Sequence, residues 1–127
     1  MRILLITNDW LPKKGGISTY LTNLVSSVDH EFTIYAPSWA EGDNVINSSS
    51  SFFLNSKDTI KEISDIIKNK NIDIILHGSS NPQFLLIGKL DQISNINSPK
   101  NIKIPQFMIC HGAEFNVLNY IPCILYT

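Results

Sequence analysis

Cysteine is almost missing from this chain: Cys110 and Cys123 are the only two among its 127 residues. They fit no metal-ligand spacing, and two thiols without a secretory context predict a reducing compartment. Cys110 sits in an apolar run and reads as a reduced thiol of the core. Excess charge of either sign is missing as well. Ten basic against eleven acidic side chains leave a net charge of −1. No general attraction to nucleic acid is expected, and affinity for anionic lipid would need a local patch. Long hydrophobic runs are also absent. The amino-terminal apolar run is too short for a signal-peptide core, and Phe115 to Tyr126 is interrupted by Asn116, Asn119 and Pro122 and falls far short of a membrane span. A cytoplasmic protein is expected.

Several catalytic fingerprints are missing too. No G-x-G-x-x-G is present, which counts against a dinucleotide-dependent oxidoreductase, and no G-x-x-x-x-G-K-[ST], which excludes a Walker-type P-loop. Neither Ser18 nor Ser79 lies in G-x-S-x-G, so nucleophilic hydrolysis has little support. His77, His111 and Glu114 lack the short-range spacing of metal ligands.

What is present is an alternation of buried strands and helices. Arg2 to Thr7 (RILLIT) is a short apolar run rich in branched residues, the pattern of a strand buried on both faces of a parallel sheet. After Pro12, Lys13, Lys14 and Gly15-Gly16, the residues Ile17, Tyr20, Leu21, Leu24, Val25 and Val28 fall on one face at helical spacing. Phe32 to Ala36 is a second strand, and the helix between makes the pair parallel with a right-handed crossover. Ser38 to Ser51 reads as a loop, followed by a weak strand at Ser51 to Leu54. Thr59 and Glu62 have capping-box spacing for a helix carrying Ile60, Ile63, Ile66 and Ile67. Ile72 to Leu76 is the next strand, Asn81-Pro82 starts a helix through Phe84 to Leu90 that is apolar nearly all round and so expected to be well buried, and Ser94 to Lys103 is a turn-rich connection. Ile104 to Cys110 is the last clear strand. The fold class is α/β, a Rossmann-like, doubly wound and mainly parallel sheet in a single domain.

Each strand ends in small or polar residues: Thr7-Asn8-Asp9, His77-Gly78-Ser79 and His111-Gly112. In open α/β sheets the ligand crevice lies outside those carboxyl ends. Gly15 and Gly16 precede a helix whose first N–H groups and partial positive charge favour phosphate or carboxylate, against the plainer reading of a simple turn. His111, at a strand end, is a candidate to orient a hydroxyl or stabilise developing charge, against that of a histidine bonded to a nearby carbonyl. His77 is read as structural and His30 as inert. At least one of Lys13 and Lys14 is read as a solvated loop tip.

Taken together, M-R-I-L-L-I-T-N-D-W-L-P-K-K-G-G-I-S-T-Y, I-L-H-G-S-S-N-P and I-C-H-G-A-E resemble the amino-terminal half of a glycosyltransferase family 4 enzyme, and most of all the bacterial branch with the phosphatidylinositol mannosyltransferases. Trp10, Pro12, Gly15, Gly16, Ile17 and Tyr20 fill the places of that family's first motif, Gly78 to Pro82 its second, and His111, Gly112 and Glu114 its third. Ala113 departs from relatives that carry a histidine there.

The resemblance implies a GT-B architecture of two Rossmann-like domains, with residues 1–127 forming the amino-terminal, acceptor-side one. Family members are two to three times longer, and the carboxy-terminal, donor-binding domain with its paired glutamates lies outside this chain, which is therefore expected to be a fragment that is inactive alone. The implied reaction is retaining, metal-independent transfer from a nucleotide-sugar donor to a lipid-linked or saccharide acceptor in cell-surface glycan synthesis. No cofactor is implied, the donor being a substrate. By the same resemblance His111 is the catalytic-site histidine, and Gly15 and Gly16 contact the donor diphosphate. Asn8, Tyr20, Gly78, Ser79, Gly112 and Glu114 are candidates on the sugar or acceptor side. A peripheral contact with the inner face of the cell membrane goes with a lipid acceptor. The alternative is a non-catalytic module that binds a phosphorylated small molecule or a partner subunit.

Overall fold

The apolar run at the start of the chain forms the central strand of a five-stranded, all-parallel sheet. The structure, a computed structural model, describes residues 1–79, 83–97 and 103–111. The elements, in order, are β1 (Arg2–Ile6), α1 (Gly16–Ser27), β2 (Glu31–Ala36), β3 (Val45–Asn47), α2 (Lys57–Lys70), β4 (Ile74–His77), α3 (Phe84–Asn97) and β5 (Gln106–Met108). The strand order is β3-β2-β1-β4-β5. β1 meets β2 with Ile3 opposite Phe32 and meets β4 with Ile6 opposite His77.

Because side chains alternate across a strand, β1 feeds two cores. Leu4 and Ile6 pack with Ile63 and Ile67 of α2 and Leu86 and Leu90 of α3. Ile3 and Leu5 pack on the other face with Leu21 of α1, Ile34 and Trp10. Leu4, Leu5 and Ile6 are wholly buried, and each contributes roughly 1.5–3 kcal/mol on leaving water. Helices on both faces are what make a continuous apolar strand stable, as the sequence predicts. The α/β class and the parallel β1–α1–β2 unit are both present.

Several local expectations are corrected. The edge strand is β3, at Val45–Asn47, and not at Ser51 to Leu54. Val45 and Ile46 lie beside Ile34 and Tyr35, whereas Phe53 is buried between exposed Phe52 and Leu54 and its backbone pairs with a side chain, described below. α2 starts two residues before Thr59. Ser56 caps it by accepting from the Thr59 N–H at 3.2 Å, and Glu62 accepts instead from the Tyr35 hydroxyl at 2.6 Å. α3 runs through Ser94 to Asn97 rather than turning there, since no glycine or proline intervenes before Pro99. It is not apolar on every side by burial either: Phe84 and Leu85 are exposed. β4 and β5 occupy shorter spans than Ile72 to Leu76 and Ile104 to Cys110 predict. The proposed Asn81-Pro82 helix start and the segment from Phe115 onward lie outside the described residues. No helix among the described residues is long and apolar enough to cross a membrane.

Candidate functional site

The chain reverses its direction of travel across the sheet between β1 and β4, since α1 leads from β1 to β2 while α3 leads from β4 to β5. In open α/β sheets such a switch point, at the carboxyl ends of the two strands, is where ligands bind. Thr7-Asn8 and His77-Gly78-Ser79 border it, α1 begins beside it, and His111 reaches over it from the end of β5.

α1 begins without a side-chain cap. Gly15 occupies the cap position in extended conformation, its carbonyl accepting from the Thr19 N–H at 2.9 Å, and the first turn carries no acidic residue. The leading N–H groups of a helix have no partner within it, so this end presents donors and partial positive charge. The two glycines are not required by the fold. A Cβ added to either Gly15 or Gly16 would meet nothing within 4 Å. Ser18, in the same turn, is buried with its hydroxyl unpartnered. The loop before it holds a cis Leu11–Pro12 bond and a 2.7 Å ion pair from Lys13 to Asp9, which ties Lys13 to the loop itself.

Gly78 is a glycine for a different reason. A Cβ there would lie 2.8 Å from Leu21 Cδ1 and 3.0 Å from Thr7 Cβ, so α1 packs onto β4 only because this side chain is missing. Its carbonyl stands 2.8 Å from His111 Nε2. A carbonyl only accepts, so Nε2 carries the proton. The exposed ring of Tyr20 meets His111 edge-on, centroids 5.6 Å apart at 89°. The helical spacing places Tyr20 on the buried face of α1; the structure buries Ser18 there and leaves Tyr20 half exposed against the histidine. His111, Tyr20 and Gly78 thus lie together at the carboxyl edge of the sheet, against α1.

Other candidates have other duties. Asn8 donates to the Phe53 carbonyl and accepts from the Phe53 N–H, both at 3.0 Å, so its amide acts as a rung that holds the loop before α2. The Ser79 hydroxyl donates to Gln83 Oε1 at 2.9 Å. His77 is wholly buried on the α2–α3 face, opposite His111. Burial pushes its pKa down to about 4, partly offset by its bond to Gln106. His77 and His111 therefore share no ligand position, and among the described residues no group of three or more histidines, cysteines or carboxylates forms a metal site. Gly112 and Glu114 lie outside the described residues. Cys110 is disulfide-bonded, which overturns the expectation of a reduced core thiol. It lies two residues past β5 and is only partly buried, and a bonded thiol does not point to a reducing compartment.

Ser18, Gln83 and Gln106 carry no functional signature in the sequence, yet all three are buried polar residues at or behind the site. Gln106 does carry a structural signal, being a polar residue at an inward-facing position of a strand.

No family model matches the chain. It is similar to the GDP-mannose-dependent alpha-(1-6)-phosphatidylinositol monomannoside mannosyltransferase of Mycobacterium tuberculosis, 32% identical over 100 residues, covering 67% of this chain and 26% of that protein. The enzyme of the same name from Mycolicibacterium smegmatis is 29% identical over 97 residues, covering 66% and 25%. The GDP-mannose-dependent monoacylated alpha-(1-6)-phosphatidylinositol monomannoside mannosyltransferase of Corynebacterium glutamicum is 26% identical over 102 residues, covering 72% and 27%. The chain spans about a quarter of the length of these relatives.

Proposed function

We propose, on the premise that this chain is a homologue of the phosphatidylinositol mannosyltransferases of glycosyltransferase family 4, that it is the acceptor-side domain of a sugar-transferring enzyme. The donor in this reading is a nucleotide sugar, with GDP-mannose favoured by the names of the relatives, and the acceptor is a lipid-linked mannoside of the phosphatidylinositol type. The single observation that carries the reading is the uncapped start of α1 with open space before Gly15 and Gly16. Two glycines that neither packing nor backbone geometry demands are explained by a ligand that comes close to the backbone.

A diphosphate placed there meets the Gly16, Ile17 and Ser18 N–H groups. Negative charge at such a helix end gains about 0.3–1 kcal/mol when exposed and up to about 2 kcal/mol when partly buried. The gain grows as the leaving diphosphate takes up charge, so it lowers the barrier and does not merely tighten binding. His111, held by Gly78 and Tyr20, stands beside the position this leaves for the sugar, where an imidazole orients a hydroxyl or stabilises charge. Following the family resemblance, transfer retains anomeric configuration, needs no metal ion, and draws the rest of the donor pocket from a second domain.

A lipid-linked acceptor calls for a surface that meets lipid. On α2, Lys57, Lys61 and Lys68 recur at offsets of 0, 4 and 11 on the outer face, while Asp58, Glu62 and Asp65 lie on the flank toward β3. A groove of about 300 Å³ between α2 and α3 is lined by Lys57, Lys61 and Lys89 with Asn55, Ile60 and Ser64. Exposed Phe52 and Leu54 precede it, and exposed Phe84 and Leu85 open α3 beside it. Cationic and apolar side chains together suit an anionic lipid surface.

The test is an NMR titration of the 15N-labelled chain with GDP-mannose, UDP-glucose and pyrophosphate. Weak binding is expected, with shifts at Gly15 to Ser18 and at His111 for the sugar nucleotides. Shifts confined to other residues would overturn the site, and tight binding by this chain alone would overturn the two-domain reading. Equal responses to all three at α1, with none at His111, would favour a phosphate-binding module.

A further inference from the structure

The last strand is short, and its ladder to β4 covers only three residue pairs, Ile75–Gln106, Leu76–Phe107 and His77–Met108. β5 has three residues, Gln106–Met108, yet it must deliver His111 to a point 2.8 Å from the Gly78 carbonyl. Its backbone is tied to β4 by Ile75 N–H to Pro105 O at 3.0 Å and Ile109 N–H to His77 O at 2.9 Å. On the face away from the candidate site, Gln106 is 1% exposed. Its Oε1 lies 2.9 Å from His77 Nε2 and its Nε2 donates to the Ile87 carbonyl of α3 at 3.1 Å. With the amide nitrogen committed to a carbonyl, Oε1 accepts the His77 Nε2 proton. His77, held neutral by burial, then keeps an unprotonated Nδ1 that has no partner.

We propose that Gln106 is a positioning residue that bolts β5 to β4 and α3 and so sets the placement of His111 over Gly78 and against Tyr20. A parallel strand that slips by one residue turns every side chain to the other face. A slip here would put Phe107 or Pro105 at the place of Gln106 and leave the His77 imidazole with both nitrogens unpaired and buried. An apolar residue at position 106 tolerates several packings, whereas an amide joined to two fixed partners tolerates one. The bolt lies on the far side of the sheet from the ligand, so its effect on the site passes through the four residues from Met108 to His111.

This rests on the reading of His111 as the reacting-site histidine, but its test does not require turnover. Long-range proton–nitrogen correlation of the His111 ring in the full 127-residue chain should show the Nε2–H tautomer and a ring-proton shift from Tyr20. Gln106→Leu should lose the single-tautomer pattern and collapse that shift. The double variant His77→Leu, Gln106→Leu removes the polar side-chain atoms of the bolt together, so that no imidazole nitrogen is left buried and unpaired. It should melt close to the parent and still lack the His111 pattern, and it decides the matter if the single variant does not fold. An unchanged His111 pattern in Gln106→Leu, or its return in the double variant, would overturn the proposal, because ordinary packing would then suffice. Failure of the reaction assignment would show separately, as an active enzyme carrying His111→Ala.

Discussion

Replacing Gly16 by alanine and Gly78 by alanine makes the same chemical change at two glycines of the candidate site, and the two should move stability in opposite directions. At Gly16 the residue is helical and the new methyl group meets nothing within 4 Å. The main effect is on the unfolded chain, which loses freedom, so the folded state gains about 0.4–1 kcal/mol. At Gly78 the methyl group would lie 2.8 Å from Leu21 Cδ1 and 3.0 Å from both Thr7 Cβ and Thr7 Oγ1. Leu21 and Thr7 are themselves wholly buried, so these side chains must repack or α1 must move. Overpacking of this kind costs about 1–3 kcal/mol. For a domain of this size 1 kcal/mol corresponds to roughly 3–5 °C in Tm. Thermal melts followed by circular dichroism should therefore place Gly16→Ala a few degrees above the parent and Gly78→Ala several degrees below it. Donor affinity in the same proteins should order differently, with Gly16→Ala weakened despite its greater stability. A Gly16→Ala protein that is both less stable and unchanged in affinity would refute the argument that a ligand explains this glycine.

Asn8→Ala should cost about 2–4 kcal/mol, since it strands a buried N–H and a buried carbonyl of Phe53; urea midpoints measure it, and a loss under 1 kcal/mol would remove Asn8 from the scaffold. His77 gives a pH dependence. It stays neutral down to about pH 4 when folded but takes a proton near 6.5 when unfolded. Its contribution is full above pH 6.5 and falls by roughly 3 kcal/mol as pH drops to 4. Stability in His77→Gln should fall less steeply across that window, and equal slopes would contradict the assignment. In a transferase that contains this domain and its donor-binding partner, His111→Ala should lower kcat by roughly two to four orders of magnitude. Radiolabelled sugar transfer measures this, and near-parental turnover would take His111 out of the reaction.

The fold was legible because buried parallel strands and amphipathic helices write their periods directly into the chain. Leu4, Leu5 and Ile6 identify β1 whichever way the sheet is built, and Gly15-Gly16 before Ile17 marks where α1 begins. Legibility failed where a side chain stands in for backbone or a residue has two characters. Phe53 looks like strand because it is apolar and buried, but its partner is the Asn8 amide rather than a neighbouring strand. Tyr20 counts as apolar in a periodicity, yet its ring lies against His111. At the site, the glycines carried different information that the letters alone do not separate. Gly78 is fixed by α1 packing, while Gly15 and Gly16 are free of the fold. The Gln106–His77 pair joins residues 29 positions apart, a distance across which no local pattern speaks.

The arrangement of charge on α2 bears on how the molecule travels as well as on what it touches. A chain of net charge −1 feels little net pull toward a charged surface. In the proposed reading, an anionic lipid surface exerts a torque on it through the lysines on the outer face of α2 and the carboxylates on its flank. That torque would act once the molecule came within a screening length, about 8 Å at physiological salt, and would turn the lysine groove toward the proposed lipid surface before contact. The effect resembles a keel more than an anchor: it sets the heading of each encounter and leaves the duration of contact to the apolar residues beside the groove. Added salt should therefore lower the fraction of productive landings well before it shortens the time a landed molecule stays.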